Sequence, residues 1–423
     1  LTEGESVTVR KILSGKDVTS RGAFACGEKV SVEAYVPREF GVRGVVLRMC
    51  AINNCGQCGE ERDYTLENMF DGTFRIEMPP LETGLYHWTL LFLRGADTLF
   101  AVSRNNVDII LSQERGKDFR FLVYSDSFST PEWFRGGIMY HIFVDRFAIG
   151  GSMGCIPRPG VMEKDWYAPV RQYAQYPGAP VKNDLFYGGN LYGVVEKLPY
   201  LASLGVSVIY LSPVFSSVSN HKYDTGNYLE TDVGFGSDEA LDKLFEESRK
   251  MGIRVILDGV FNHTGDDSVY FDRYGRYKNG AWGHPDSPYR NWYCFNDDGS
   301  YDCWWGIEIL PRLNHENSDC RSFFTSDEGV GAHYIGRGSA GWRLDVADEL
   351  SDSFLNEFRQ AVKGRDPDSI IIGEVWENAA EKVAYGRLRP YFHGGQLDSV
   401  MNYPLRSALL GYAGSGDASF LAD

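Results

Sequence analysis

Two short apolar runs, Gly341-Trp-Arg-Leu-Asp345 and Ser369-Ile-Ile-Ile-Gly-Glu374, each end in a carboxylate and decide how the chain is read. Both have the length and bulk of buried strands, and between them Leu350, Phe354, Phe358 and Val362 repeat at helical spacing. Strand, helix, strand in that order implies parallel strands joined by a right-handed crossover. In a barrel of such strands the functional side chains sit at the C-terminal ends, so Asp345 and Glu374 are aimed at one mouth. A carboxylate pair there suits cleavage of a glycosidic bond: one acid protonates the leaving oxygen, and one carboxylate attacks or stabilises the oxocarbenium-like carbon. Arg343 lies two residues before Asp345 on the same face, and its charge is expected to keep Asp345 ionised. The apolar run before Glu374, with Val375 and Trp376 after it, is expected to raise the Glu374 pKa and keep it protonated. Taken in isolation, the same residues also describe an ordinary surface ion pair at two strand ends.

Working outward, Ile138-Met-Tyr-His-Ile-Phe-Val, Val206-Ser-Val-Ile-Tyr-Leu, Ile253-Arg-Val-Ile-Leu-Asp and Leu397-Asp-Ser-Val-Met supply four more strand candidates. Leu191, Val194, Val195, Leu198 and Leu201 mark a helix that stops at Gly205. Ala240, Leu241, Leu244 and Phe245 mark a second, with Ser237 as its expected N-cap and Gly252 at its end. Repeated βα units predict an α/β fold, a (β/α)8 TIM barrel over residues 136–423 with six of its strands in this chain; a doubly wound sheet is the alternative. A long irregular segment, about Thr264 to Leu313, is rich in Trp, Tyr, Asp and Gly and is expected to be a functional insertion after the third strand. Residues 1–111 alternate apolar and polar in runs such as Val30-Ser-Val-Glu-Ala-Tyr and Tyr86-His-Trp-Thr-Leu-Leu-Phe, which predicts an N-terminal β-sandwich. Such a module would bind glycan, pack on a neighbour as an oligomer arm, or brace the barrel. Residues 112–135 read as a linker.

The 423 residues exceed one small core, so two or three domains are expected. Lys plus Arg total 42 against 58 for Asp plus Glu, a net charge of -16 that argues against nucleic acid and anionic membrane as partners. An aromatic content of 14% suits a neutral sugar polymer, whose ring faces stack on aromatic side chains. No segment has the roughly 20 apolar residues that span a bilayer. The chain opens at Leu1 without a charged-then-apolar leader, so a signal peptide is expected to be absent or already removed; the setting is cytoplasmic or secreted, with the cytoplasm favoured. The eight cysteines are too scattered for a disulfide scaffold. Cys50, Cys55 and Cys58 form the one cluster and lack a fourth zinc ligand nearby, so they are expected to be structural thiols.

Asp258-Gly-Val-Phe-Asn262-His263 ends the third strand, where a carboxylate, an amide and an imidazole can hold sugar hydroxyls and the amide oxygen can serve calcium. Asp258-x-x-x-Asn262-His263, Gly341-x-Arg343-x-Asp345 and Glu374, in that order and each at a strand end, resemble the alpha-amylase family, glycoside hydrolase family 13. Leu310-Pro-Arg-Leu-Asn314 and Asn220-His221-Lys-Tyr223-Asp-Thr resemble the neopullulanase and cyclomaltodextrinase branch; Trp304-Trp305-Gly, Glu374-Val-Trp-Glu and Asp398-Ser-Val-Met-Asn-Tyr are similar to amylopullulanase-type members. The resemblance runs from about Glu132 onward, and more weakly through the N-terminal module.

The resemblance implies retaining cleavage of α-glucosidic bonds in starch, pullulan, maltooligosaccharides or cyclodextrins. Asp345 is then the nucleophile and Glu374 the general acid/base, about 5 to 5.5 Å apart. Arg343, His263, His221 and Asn314 would contact the sugar, Tyr223 would stack under it, Trp376 would line the leaving-group side, and Asp258 and Asn262 would organise the floor and the long loop after the third strand. No cofactor is required; calcium at Asn262 is the one metal suggested, and a homodimer is expected by analogy with relatives that carry the N-terminal module. Three departures stand out. The family's third carboxylate has no match up to Asp423, so the chain by itself is expected to be close to inactive. The usual calcium loop after the first strand is poor, since Phe147-Ala-Ile-Gly-Gly-Ser-Met-Gly lacks Asn and Asp, and Asn190 stands where Asp is common. Asn227 replaces an Asp, which should soften polar contacts near the cleavage subsite. The competing reading is a non-catalytic α-glucan-binding protein on the same scaffold, against which stand the intact Asp345, Glu374 and Arg343.

Overall fold

The computed structural model describes residues 6–13, 16–17, 22–103, 109–151, 160–169, 176 and 183–421. It divides into two units, one of Leu1–Ser129, Val375–Gln396 and Met401–Asp423, the other of Thr130–Glu374 and Leu397–Val400. Among the described residues no helix is long and apolar enough to cross a membrane.

The first unit is built on antiparallel strands whose alternate apolar residues point into one core. Gly84–Arg94 is the central strand: it pairs with Gly44–Ala51 on one side, and on the other with both Asp97–Ser103 and Phe119–Tyr124. Val30–Tyr35 pairs with Thr73–Glu77. Val32, Ala34, Leu47, Phe74, Trp88, Phe92 and Phe121 share the buried cluster, so both groups of strands serve one core. Three expectations are corrected here. Residues 112–135 are not a linker, because Phe119–Tyr124 is an interior strand and the unit runs on to Ser129. Residues 375–396, assigned to the barrel by sequence, belong to this unit: Ser125 N–H donates to His393 O at 2.9 Å and Leu388 N–H to Asn54 O at 2.7 Å. Cys50 and Cys58 are not thiols but a disulfide. A turn closed by Asn53 N–H to Gln57 O folds the chain back and sets the two Cα atoms 5.8 Å apart, within bridging range.

The second unit contains one sheet of six parallel strands: β1 Ile138–Ile142, β2 Val206–Leu211, β3 Arg254–Gly259, β4 Gly341–Leu344, β5 Ile370–Gly373 and β6 Ser399–Val400. Their spatial order is their chain order. A doubly wound sheet would reverse direction at a switch point, so the single winding supports the barrel reading. α1 Leu191–Ser203 buries Leu191, Val194, Leu198 and Leu201, and α2 Ser237–Lys250 buries Ala240, Leu241, Leu244 and Phe245, as their spacing predicts. Gly236 rather than Ser237 caps α2, with φ of 105° that only glycine adopts at ease. Between β3 and β4 stand two short helices that the sequence pattern did not reveal, α3 Ser318–Thr325 and α4 Val330–Arg337. α5 Asp352–Arg365 buries Phe354, Phe358 and Val362, and Ser351 caps it by accepting from Phe354 N–H. At Gly341 an added Cβ would lie 2.1 Å from Ile370 O, so this glycine lets β4 lie close to β5 at the level where both enter the sheet.

The insertion between β3 and α3 holds itself together with aromatic rings. Phe271 is fully buried with ring centroids 4.7 Å from Tyr301, 4.8 Å from Tyr293 and 5.9 Å from Phe295. Asp272 accepts from the N–H groups of Arg276 and Tyr277 and closes the turn beneath them. Trp292 then packs on Phe323 of α3 at 5.1 Å. A segment with little regular structure is thereby given a core of its own.

Candidate active site

β3, β4 and β5 set the site. Asp258 and Arg343 are register partners on adjacent strands, and Asp345 and Glu374 stand at the first position past β4 and β5. Parallel pairing therefore brings four charged side chains to one level of the sheet. Arg343 Nη1 donates to Asp258 Oδ1 and to Asp345 Oδ1, both at 2.8 Å, and Nη2 lies 2.9 Å from Glu374 Oε2. The same Glu374 oxygen accepts from Val346 N–H at 2.9 Å. Val346 has φ of 37°, a left-handed conformation costly for a β-branched residue, directly after Asp345. That turn aims the Val346 N–H at Glu374.

The cluster is nearly dry, with Asp258 1%, Arg343 4% and Asp345 7% exposed. Burial pushes Asp345 up to about 8; Arg343 pulls it down, while Asp258 and Glu374 add to the rise. Against the expectation that Arg343 keeps Asp345 ionised, desolvation pushes the other way, and one guanidinium faces three carboxyl groups. Burial raises Asp258 as well, against the pull of Arg343 and of its hydroxyl donors. Burial works against the charge on Arg343, yet Asp258 and Asp345 carry its pKa higher still.

Tyr223 OH donates to Asp258 Oδ2 at 3.0 Å, and Tyr210 OH donates to the same oxygen. Tyr210, on β2, was not singled out by sequence; its ring stacks on His141 with centroids 4.4 Å apart. His263 is buried with both ring nitrogens engaged, Nε2 with Tyr223 O and Nδ1 with Asn262 Nδ2, each at 3.1 Å, and burial lowers its pKa to about 4. His221 Nδ1 accepts from Tyr223 N–H at 3.1 Å, so the two histidines flank the tyrosine backbone. Burial lowers the His221 pKa too. Trp304 stacks on His263 at 5.5 Å and Trp305 on Trp304 at 5.2 Å, which carries an aromatic row from the site to an indole 66% exposed. Trp304 Nε1 is buried and has no partner among the described residues.

Other residues named from sequence lie elsewhere. Asn314 braces the insertion, its Nδ2 donating to Asn291 O and its Oδ1 accepting from Glu316 N–H. Asn227 accepts from Leu229 N–H and Tyr270 OH, a strand-to-insertion tie rather than a contact with the carboxylates. Trp376, 44% exposed, falls in the first unit. Asn262 Oδ1 is buried without a partner, but among the described residues no three His, Cys, Asp or Glu side chains converge to hold a metal. Asn190 is occupied as the cap of α1, accepting from Gly193 N–H at 2.8 Å and Gly150 N–H at 3.2 Å. The end of the 147–154 loop lies outside the described residues.

A sequence profile of the alpha amylase catalytic domain matches residues 141–422. The amylopullulanase of Thermoanaerobacterium saccharolyticum is 37% identical over 328 residues, 70% of this chain and 25% of that protein. Neopullulanase 2 of Thermoactinomyces vulgaris is 33% identical over 373 residues, 86% of this chain and 57% of that protein. Among solved structures, the type III pullulan hydrolase from Thermococcus kodakarensis superposes with a TM-score of 0.59 at 28% identity, covering 93% of this chain and 66% of that one. The chain thus spans a quarter to somewhat over half of the two curated relatives. With a matching profile over two thirds of its length, the chain belongs to the alpha-amylase family.

Proposed function

We propose that this chain carries the bond-breaking carboxylates of a retaining glycoside hydrolase that cleaves α-glucosidic links in starch, pullulan, maltooligosaccharides or cyclodextrins. One observation carries the reading: a single buried guanidinium, that of Arg343, is bound to Asp258, Asp345 and Glu374 together. Three acids and one base in a dry cleft retain a proton at neutral pH, and one proton is what the first step consumes. In the reactive form the proton that burial favours on Asp345 passes to Glu374 and leaves Asp345 ionised; Asp345 then attacks the anomeric carbon as the glycosidic C–O bond breaks, and Glu374 gives that proton to the departing oxygen. The covalent glycosyl-enzyme is then opened by water, which Glu374 deprotonates.

The surrounding residues take supporting roles in this reading. Arg343 is the counter-charge that shifts between Asp345 and Glu374 as charge moves. Asp258, held by Tyr210, Tyr223 and Arg343, anchors the floor. Tyr223 stacks under the sugar, with His221 and His263 beside it; His263 reaches a sugar hydroxyl by giving up one of its two ring contacts. Asn314 shapes the insertion that follows β3. The test is the anomer released by the intact protein that contains this chain. Proton NMR at early time should show the α-anomer of the new reducing end; a β-anomer as first product rules out the double displacement.

A further inference from the structure

The turn that carries His221 and Tyr223 is anchored by Lys222 between them, a group to which neither the sequence reading nor the mechanism gives a role. Lys222 is 1% exposed and has φ of 63°, a left-handed conformation that few non-glycine residues take. Its Nζ reaches the Asp232 carboxylate, donates to Ser217 O at 3.2 Å, and sits 4.9 Å from the centre of the Phe235 ring. Asp232 is itself fixed, its Oδ1 accepting from Gly234 N–H at 2.8 Å. The Lys222 backbone N–H donates to Ser219 Oγ at 2.9 Å, and Ser219 Oγ donates to Asp224. Lys222 is thus pinned at its side-chain tip and at its backbone N–H.

Across this left-handed residue the His221 and Tyr223 rings come together, centroids 5.8 Å apart, while the Lys222 side chain runs to Asp232. A buried ammonium is costly unless paired, and a well-packed apolar pair often serves stability as well or better. What the ion pair adds is direction, since the carboxylate, the carbonyl and the ring fix where Nζ lies and so fix the twist of the turn. We propose that Lys222, through Asp232, is a positioning residue that sets the Tyr223 ring and hydroxyl against Asp258. The proposal rests on the reading of Tyr223 as the platform under the sugar.

The test removes both charges at once, in the K222M/D232N variant of the intact protein, so that no unpaired buried ion is left. The variant's melting temperature is followed together with two readouts. Hydrogen exchange of peptides covering 219–224 should quicken at least tenfold while that of 341–344 stays unchanged. The dissociation constant for maltotriose should rise about tenfold. Unchanged exchange in 219–224 overturns the proposal whatever the sugar does, as does equal quickening in 341–344, which marks general loosening. Faster exchange with unaltered maltotriose affinity also overturns it. If the parent does not bind maltotriose, the platform reading of Tyr223 fails, and the exchange result alone decides whether Lys222 sets the turn. If the double variant does not fold, the K222R variant with Asp232 kept is measured the same way, with the same outcomes deciding.

Discussion

Arg343 Nη1, on β4, and Asp345 Oδ1, just past its end, lie 2.8 Å apart, a buried ion pair in which the cation is shared with two further carboxyl groups. Since burial pushes Asp345 up to about 8, the folded protein holds that proton more tightly than the unfolded chain, where an aspartate titrates near 4. The Asp345 contribution to stability is therefore full below about pH 4 and is lost as pH rises through about 8. An Asp345→Asn variant does not titrate there. Urea unfolding should show the variant gaining on the parent by a few kcal/mol, about one for each pH unit, between pH 4 and 8. A constant difference across that range contradicts the assignment.

The acid side is governed by histidines. His263 and His315 are both buried, with burial lowering each to about 4, and His315 Nε2 lies 2.8 Å from Phe261 O. A lowered histidine pKa means stability is present above about 6.5 and lost as pH falls through about 4. His315→Gln keeps a donor for Phe261 O but does not titrate. Its unfolding free energy should fall by about 3 kcal/mol less than the parent's between pH 7 and pH 4. An identical fall in both proteins contradicts a buried neutral His315.

Tyr210 offers a test of the floor. Its hydroxyl is one of three donors to Asp258, and Tyr210→Phe removes that donor while the stack on His141 remains. Stability should drop by about 1–2 kcal/mol, as for loss of a hydrogen bond to a charged group. Turnover of the intact protein should fall on the order of tenfold, equivalent to about 1.4 kcal/mol of barrier, with KM nearly unchanged. A raised KM at full kcat would instead place Tyr210 in substrate binding.

The insertion stands on Phe271. Truncating it in Phe271→Ala empties the centre of the ring cluster and should cost about 3–5 kcal/mol. Limited proteolysis should then cut first within residues 264–313. First cleavage in β4 or β5 contradicts an insertion that carries its own core.

Much of this was legible in the sequence, for identifiable reasons. The paired acids could be placed because strand ends in parallel sheets are marked by short apolar runs, and helical periodicity fixed α1, α2 and α5. Tyr210 escaped notice because β2 is buried on both faces, so alternation gives no clue to which side chain points into the site. Phe119–Tyr124 was missed as a strand since the polar turn before it, Ser112-Gln-Glu-Arg-Gly-Lys-Asp, looks like the start of a linker. The Cys50–Cys58 bridge depends on a fold-back at Asn53 that spacing does not encode. The Asp345 charge state depends on burial of the whole cluster, and a sequence shows which charges are near but not how dry they are.

The most direct measurement uses a Glu374→Gln variant of the intact protein with an α-glucosyl fluoride as substrate. Fluoride leaves without protonation, so the first step survives the loss of the acid while the second, which needs a base, stalls. Mass spectrometry of the digested protein should find the added glucosyl unit on the peptide that contains Asp345. A glucosyl adduct on any other side chain, or steady turnover by Glu374→Gln of a substrate with an unactivated sugar leaving group, would contradict the account.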